Sequence, residues 1–233
     1  MTSHNMPDMP EELYRRINLF RRDIGNMLFH FTRTPESDTF IEIKHEFGTM
    51  QTSASASSVL RKILTERSLH GTSRWTNGEN CVCFTEAPIQ EFNTVFSLVE
   101  IASSKKERPR YEPYGVALTK EYIFKQGGRP VIYEHPTAFA EFPSSQRYRL
   151  VPYDPVKGVD FTWEREWRIR TDRLRLDPKH TLAIVPSSDE AFDLVYEFAD
   201  MEADYDRDGS IMGAYHKPKW LAVSLDLFGL KFK

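Results

Sequence analysis

Residues 160–170 read DFTWEREWRIR, and the period-two alternation along this stretch predicts a β-strand. One face of that strand would carry Phe161, Trp163, Arg165, Trp167 and Ile169, and the other would carry Thr162, Glu164, Glu166, Arg168 and Arg170. We expect the aromatic face to be buried and the polar face to border a cleft or solvent. Glu164 and Glu166 then point the same way, roughly 6–7 Å apart along the strand.

Two carboxylates at that spacing raise each other's pKa unless a cation lies between them. Arg168, Arg170 or a neighbouring strand can supply the cation, and the pair is then an ordinary exposed ladder of charges. A pair held in a cleft can instead act chemically. The strand alone leaves both interpretations open.

The composition is typical of a globular protein with one sizeable domain: 233 residues, of which 40% are hydrophobic and 28% charged. The net charge of −3 predicts no general attraction to nucleic acid or to an anionic membrane. No apolar run approaches the ~18 residues of a membrane span, and the polar N-terminus lacks the apolar segment of a signal peptide. Cys81 and Cys83 point the same way on one predicted strand, so we expect reduced thiols in a cytoplasmic protein.

Hydrophobic periodicity predicts an α+β fold around a central sheet with non-regular strand order. We expect an N-terminal helical extension over residues 1–27 and a single domain over residues 28–233. The predicted helices span residues 9–24, 57–69 (with Ser57 as the cap), 88–101 and 188–202. The predicted strands span residues 28–32, 81–86, 114–119, 130–134, 160–170, 181–185 and 220–227, and residues 34–56 are expected to form a loop.

His30 and Thr32 project from one face of the first predicted strand. An imidazole and a hydroxyl placed together can hydrogen-bond the ribose and the amide of a nucleotide ligand. A histidine between aromatic residues is also commonly a satisfied core residue. Glu86, where the strand 81–86 runs into a helix, is a weaker candidate because it can simply favour the helix dipole.

Two charged segments also suggest binding. Lys105, Lys106, Arg108 and Arg110 can grip a phosphate backbone or form a solvated loop. The acidic run from Asp204 to Gly209 resembles the first half of a calcium loop, but Tyr215 stands where a bidentate glutamate is needed, which favours a solvated acidic turn. No Gly-rich phosphate loop, HExxH or G-x-S-x-G motif is present, and we expect no metal site.

The motifs FHFT, VLRKIL, CVCFTE, YGVALTKEY, PVIY and WEREWRI, in this order and spacing, resemble the abortive-phage-resistance family usually called AbiGi. The resemblance covers roughly residues 28–225. That family is described mainly as a phage-resistance component and in places as an antitoxin. The resemblance therefore implies a role in phage defence and a cognate toxin, antitoxin or defence partner, without fixing the biochemistry.

A second resemblance is to ADP-ribosyltransferases, including those that modify nucleic acid, and it implies their split central sheet and NAD as a substrate. It implies that His30 and Thr32 hold the adenosine ribose and nicotinamide amide of NAD. Glu166 matches the catalytic glutamate of that family, and Glu164 matches the auxiliary one. The ring that stacks on nicotinamide is Phe84 by order along the chain, or Tyr114 on the following strand.

The chemistry implied by this second resemblance suits carboxylates. Cleavage of the nicotinamide–ribose bond creates an oxocarbenium-like cation, which Glu166 would stabilise in the transition state, while Glu164 would orient or deprotonate the acceptor. The sequence thus predicts an NAD-dependent ADP-ribosyltransferase of phage defence or a toxin, acting on a nucleic acid or a protein. The alternatives are a non-catalytic antitoxin or partner-binding component, and a nucleic-acid-binding or nuclease module built on the basic loop.

Overall fold

The structure is a computed structural model that describes residues 25–36, 38–45, 48–92 and 111–230. Its helices are α1 (Ala56–Glu66), α2 (Lys120–Lys125) and α3 (Ser188–Glu197). Its strands are β1 (Met27–Phe31), β2 (Phe40–His45), β3 (Gly48–Ser53), β4 (Ser68–His70), β5 (Cys81–Thr85), β6 (Gly115–Thr119), β7 (Arg129–Pro130), β8 (Ile132–Glu134), β9 (Leu150–Pro152), β10 (Glu166–Arg170), β11 (Arg173–Arg175), β12 (Thr181–Val185), β13 (Ala199–Tyr205), β14 (Ile211–Pro218) and β15 (Leu221–Ser224).

A seven-stranded mixed sheet organises the fold, with the order β15-β12-β6-β1-β5-β10-β7. Only β12 and β15 are parallel within this sheet, and the other pairs are antiparallel. Four two-stranded sheets complete the described strands. The predicted mixed fold with a central sheet of non-regular order is therefore confirmed. Among the described residues, no helix has the length and apolar character needed to cross a bilayer.

The two faces of the large sheet pack against different cores. Leu28, Phe84 and Trp167 lie in one buried cluster with Leu60 and Leu64 of α1, and we call this side the α1 face. The opposite side carries Phe29, Thr85, Glu166 and Arg168, and we call it the Arg168 face. These residues share a face because Phe29 pairs directly with Thr85, Thr85 pairs directly with Glu166, and Arg168 lies two residues after Glu166 on the same strand. Every predicted site residue on β1, β5 or β10 belongs to one of these two faces.

Helix α1 begins with a capping box. The Ser55 side chain accepts from the backbone N–H of Ser58 at 3.1 Å, and the Ser58 hydroxyl accepts from the backbone N–H of Ser55 at 2.9 Å. The helix ends at Glu66 and is followed by its C-cap residue Arg67, which adopts the left-handed conformation with φ of 50°. A helix is confirmed here, but its cap is Ser55 rather than Ser57, and it stops short of the predicted end at residue 69 because Ser68–His70 form β4.

Other predicted elements differ from the structure. Residues 34–56 were expected to be a loop, yet they contain the hairpin β2–β3, whose Ile41 and Ile43 are buried. The predicted helix 188–202 ends at Glu197, and the hairpin β13–β14 follows it. The predicted helix 9–24 lies outside the described residues, as do residues 93–110, which hold the rest of the predicted helix 88–101 and all four cations of the basic loop.

The stretch 160–170 is not one strand. Residues Thr162–Glu164 form a 3₁₀ turn, Arg165 adopts the left-handed conformation with φ of 45°, and only Glu166–Arg170 is extended. The Asp160 side chain accepts the Thr162 N–H at 2.9 Å, and the Thr85 hydroxyl donates to the Glu164 carbonyl, so local and tertiary bonds both hold the turn. The predicted alternation therefore begins only at Glu166, and Glu164 does not share a strand with it.

Candidate functional site

Glu166 is held in a bidentate ion pair by Arg168, two residues along β10. Arg168 Nε donates to Glu166 Oε1 at 2.7 Å, and Arg168 Nη2 donates to Glu166 Oε2 at 3.0 Å. The remaining guanidinium nitrogen, Nη1, donates to the Tyr148 carbonyl at 2.7 Å. Both carboxylate oxygens thus accept from a buried arginine, and the pair links β10 to the segment before β9.

The surroundings of this pair shift several pKa values. Burial acts to lower the pKa of Arg168, but the hydrogen bonds and charge of Glu166 more than offset it, so the pKa is raised. Burial, followed by the nearby Glu166 charge, raises the pKa of the Cys83 thiol. Burial also raises the pKa of Tyr133, whose hydroxyl accepts the Glu166 N–H at 3.0 Å, to about 12. Cys83 and Tyr133 are therefore neutral at neutral pH.

Glu164 lies on the 3₁₀ turn that precedes β10 and is a buried residue. The left-handed Arg165 separates it from Glu166, so the two carboxylates are not the adjacent pair on one strand face that the sequence predicts. The predicted polar ladder is wrong for Glu164. Glu166 forms an ion pair with Arg168, and neutralisation by this arginine is one of the two interpretations that the sequence leaves open.

His30 is half-buried on β1, and its ring contacts the neighbouring strand. Its Nδ1 lies 2.8 Å from the Cys83 carbonyl oxygen, and its ring meets that of Phe84 edge-on at 5.8 Å. Burial lowers the pKa of His30, although the bond to Cys83 acts in the opposite direction. Because a carbonyl oxygen only accepts, the neutral ring carries its hydrogen on Nδ1 and leaves Nε2 as an acceptor.

The other predicted cofactor-binding residues are engaged by the scaffold. The Thr32 hydroxyl lies 2.9 Å from the Ala56 carbonyl and 3.1 Å from the Tyr114 carbonyl, and its one proton serves these acceptors. Phe84 is buried, so a nicotinamide ring reaches it only if the core opens. Tyr114 packs against the same cluster as Phe84, and burial together with a hydrogen bond to Glu190 raises its pKa to about 12.

Strand register separates the predicted cofactor residues from the predicted catalytic glutamate. His30 neighbours Phe29, which pairs with Thr85, and Thr85 pairs with Glu166. His30 therefore lies on the α1 face with Phe84, whereas Glu166 lies on the Arg168 face. The sheet itself stands between the imidazole and the carboxylate, and no dinucleotide bound on one face contacts both.

One polar cluster was missed by sequence reasoning. Glu86 forms an ion pair with Lys120 and accepts a hydrogen bond from Trp167 Nε1 at 2.8 Å, and the Lys120 ammonium lies 5.5 Å from the Trp167 ring centroid. Two of these residues, Lys120 and Trp167, also line a cavity of about 540 Å³, together with Asn26, Thr119, Glu121 and Phe124. Glu86 stood out in the sequence only as a helix-start residue, because its partners come from two distant elements.

The acidic run near residue 206 forms the turn of the β13–β14 hairpin. The Asp206 carboxylate accepts the backbone N–H groups of Asp208 at 3.0 Å and Ser210 at 2.9 Å. Bonds of this kind are typical of tight turns, so the turn accounts for the Asp and Gly residues in this run without a bound calcium ion. Within the described part of the chain, no group of three or more His, Cys, Asp or Glu residues is arranged to hold a metal ion.

Comparisons of the chain with protein-family models, with curated proteins and with solved structures each gave no match. The AbiGi and ADP-ribosyltransferase resemblances rest on the quoted motifs alone.

The lowered pKa of His30 predicts a pH dependence of stability. Below pH 6.5, the ordinary pKa of histidine, His30 takes up a proton in the unfolded chain but not in the folded one. The free energy of unfolding therefore decreases as the pH is lowered, until the pH reaches the lowered pKa of folded His30. The slope from this residue is at most about 1.4 kcal/mol per pH unit. Urea unfolding of wild type and His30→Gln between pH 7 and pH 5 measures it. An equally steep slope in His30→Gln would contradict the assignment.

Proposed function

We propose that this protein is a non-catalytic, partner-binding component of a phage-resistance system, one of the roles that the AbiGi resemblance implies. The observation that carries the proposal is the use made of Glu166. Its two oxygens accept from buried Arg168, which also binds the Tyr148 carbonyl, on the sheet face opposite His30. A carboxylate engaged in this way completes a buried ion pair and, on the other side of the sheet, is not placed to contact a ligand that His30 binds.

An NAD-dependent ADP-ribosyltransferase acting on nucleic acid or protein is the second candidate. It is favoured by one observation: the rings of His30, Phe84 and Tyr114 lie on a single face of the sheet, and Thr32 bonds the backbone of Tyr114. Catalysis in this form requires the Arg168–Glu166 pair to break and β10 to present its carboxylate to the other face. Removing a buried charge from its partner costs several kcal/mol, which makes that rearrangement unfavourable.

A thermal-shift and NAD-consumption experiment on wild type and Glu166→Gln separates the two candidates. A binder of NAD at 100 times its dissociation constant gains about 2.7 kcal/mol of stability. We expect no shift and no consumption by either protein with RNA, DNA or protein acceptors present. NAD consumption by wild type that Glu166→Gln abolishes without a loss of stability would overturn the proposal.

The positive test is complex formation. The tagged full-length chain, co-expressed with the products of the neighbouring genes, is expected to elute with one of them as a stoichiometric complex on size exclusion. Glu166→Gln is the matched variant, because a partner-binding role does not require a catalytic carboxylate. A wild-type chain that elutes alone from every such co-expression would count against the proposal.

A further inference from the structure

The hairpin β13–β14 forms a two-stranded sheet of its own within the described chain, and its two faces differ sharply. Cross-strand pairing groups the side chains by face. The polar face carries Asp200, Glu202, Asp204, Tyr215 and Lys217. The apolar face carries Ala199, Met201, Ala203, Tyr205, Ile211, Ala214, His216 and Pro218.

The polar face is internally bonded and fixes the register of the hairpin. Glu202 accepts from Lys217 Nζ at 2.8 Å and from the Tyr215 hydroxyl at 3.0 Å, and Lys219 pairs with Asp200 at 3.1 Å. The apolar face is left open, with Met201, Tyr205 and Ile211 between 64% and 73% exposed. A two-stranded hairpin is marginal in water by itself, and alternation of this kind normally buries the apolar side.

Helix α3 extends the exposed apolar surface. Phe192 and Tyr196 are 77% and 69% exposed, and the Tyr196 ring lies 4.9 Å from that of His216 on the hairpin. Between helix and hairpin lies a cavity of about 370 Å³ lined by Phe192, Asp193, Val195, Tyr196, Ala199, His216 and Pro218. Such a depression can take one large aromatic or aliphatic side chain as an anchor.

The charge of this region favours a cationic partner over a second copy of the chain as the molecule that covers the surface. Residues 188–219 hold nine carboxylates against three lysine and arginine side chains, a formal charge of −6, whereas the whole chain carries −3. Two copies meeting through this surface would bring like charges together, which disfavours self-association. Asp200, Glu202 and Asp204 belong to the polar face of the hairpin, and the carboxylate that lines the cavity is Asp193, so a cationic partner gains attraction there.

We propose that the apolar face of β13–β14 and the exposed side of α3 form a docking surface for a cationic amphipathic segment of a partner protein. The segment inserts an aromatic or aliphatic side chain between Phe192 and His216 and surrounds it with lysines or arginines. The inference rests on the proposed partner-binding function and specifies the chemistry of the partner.

A labelled synthetic peptide of lysine and leucine at helical spacing, with one tryptophan, provides the probe, and its glutamate-for-lysine counterpart is the matched peptide. Fluorescence anisotropy with the full-length protein is expected to show binding of the lysine peptide that weakens as salt rises. The double variant Phe192→Ser/Tyr196→Ser should weaken binding of the lysine peptide at least about tenfold, since a few large side chains supply most of the binding energy of an interface. Phe40→Ser, at an exposed phenylalanine of the β2–β3 hairpin, is the control that should bind as wild type does.

The docking surface would be overturned by equal binding of the peptide to the double variant and wild type, by equal binding of the two peptides, or by a dimer in light scattering that the double variant dissociates. All three replaced positions, Phe192, Tyr196 and the control Phe40, are exposed, and folding of each variant is checked by its melting temperature. If a neighbouring gene product co-elutes equally with wild type and the double variant, the docking surface is wrong while the partner-binding function stands. If the peptide behaves as expected but no gene product co-elutes with wild type, the docking surface is supported and the proposed function is not.

Discussion

Arg168→Ala is expected to lower the free energy of unfolding by about 3–5 kcal/mol, because it strands a carboxylate in a site that excludes most water. The lost guanidinium makes three short contacts, two to Glu166 and one to the Tyr148 carbonyl. The carbonyl and the carboxylate would both lose their donor. Urea unfolding monitored by circular dichroism measures the cost.

Arg170→Ala is the matched control for this prediction. Arg170 lies on the same strand and the same face, but it is exposed, and its guanidinium lies 5.6 Å from the Tyr148 ring centroid. We expect a cost of at most about 1 kcal/mol for its removal. The double replacement Glu166→Leu/Arg168→Met should recover much of what Arg168→Ala loses, since no charge is then left unpaired. Equal costs for Arg168→Ala and Arg170→Ala would show that the Glu166 carboxylate is not dependent on Arg168.

The same ion pair changes how any Glu166 variant is interpreted. A catalytic role for Glu166 predicts lost activity in a protein of unchanged stability, whereas the pairing with Arg168 predicts a less stable protein. Activity and unfolding free energy must therefore be measured on the same preparation. Only a loss of activity without a loss of stability would favour catalysis.

Much of the sheet could be predicted from local pattern. Strands at 81–86, 114–119 and 181–185 match β5, β6 and β12 within a residue, because each is a short apolar run that the sheet buries on both faces and that can be recognised within its own segment. Period-two alternation was missed in β13, where Met201, Ala203 and Tyr205 alternate with Glu202 and Asp204. The period-two signal was present there, and a helical interpretation that ran too far obscured it.

The turn at 162–164 could not be predicted from alternation, because the residues that form it continue the strand pattern. The Asp160 side chain supports the turn locally, but the bond from the Thr85 hydroxyl to the Glu164 carbonyl is tertiary, and the sequence does not signal the left-handed conformation of Arg165. The position of Glu164 therefore depended on a strand 79 residues away.

The candidate site failed to assemble for a related reason. The sequence predicts that His30 and Thr32 share a face, and that prediction needs only one strand. Whether His30 and Glu166 share a face depends on the registers β1–β5 and β5–β10, and a slip of one residue in either would reverse the answer. The pattern within a single strand does not specify how that strand is aligned with its neighbours, so it cannot tell which residues of different strands share a face.

The two tryptophans of the stretch 160–170 offer a direct comparison of the sequence prediction with the structure. Alternation predicts that both rings are buried behind Glu166, but Trp163 is 43% exposed and Trp167 is 8% exposed. Trp167 packs in the α1-face cluster and donates its Nε1–H to Glu86 Oε2 at 2.8 Å.

Trp167→Ala is therefore expected to lower the free energy of unfolding by about 3–5 kcal/mol, and Trp163→Ala by less than about 1 kcal/mol. Trp167→Phe keeps most of the ring and removes the donor to Glu86, so its cost should lie near 1–3 kcal/mol. Urea unfolding of the three variants measures the ranking. Similar costs at positions 163 and 167 would favour the continuous strand, with both rings in the core, over a turn that directs Trp163 to solvent.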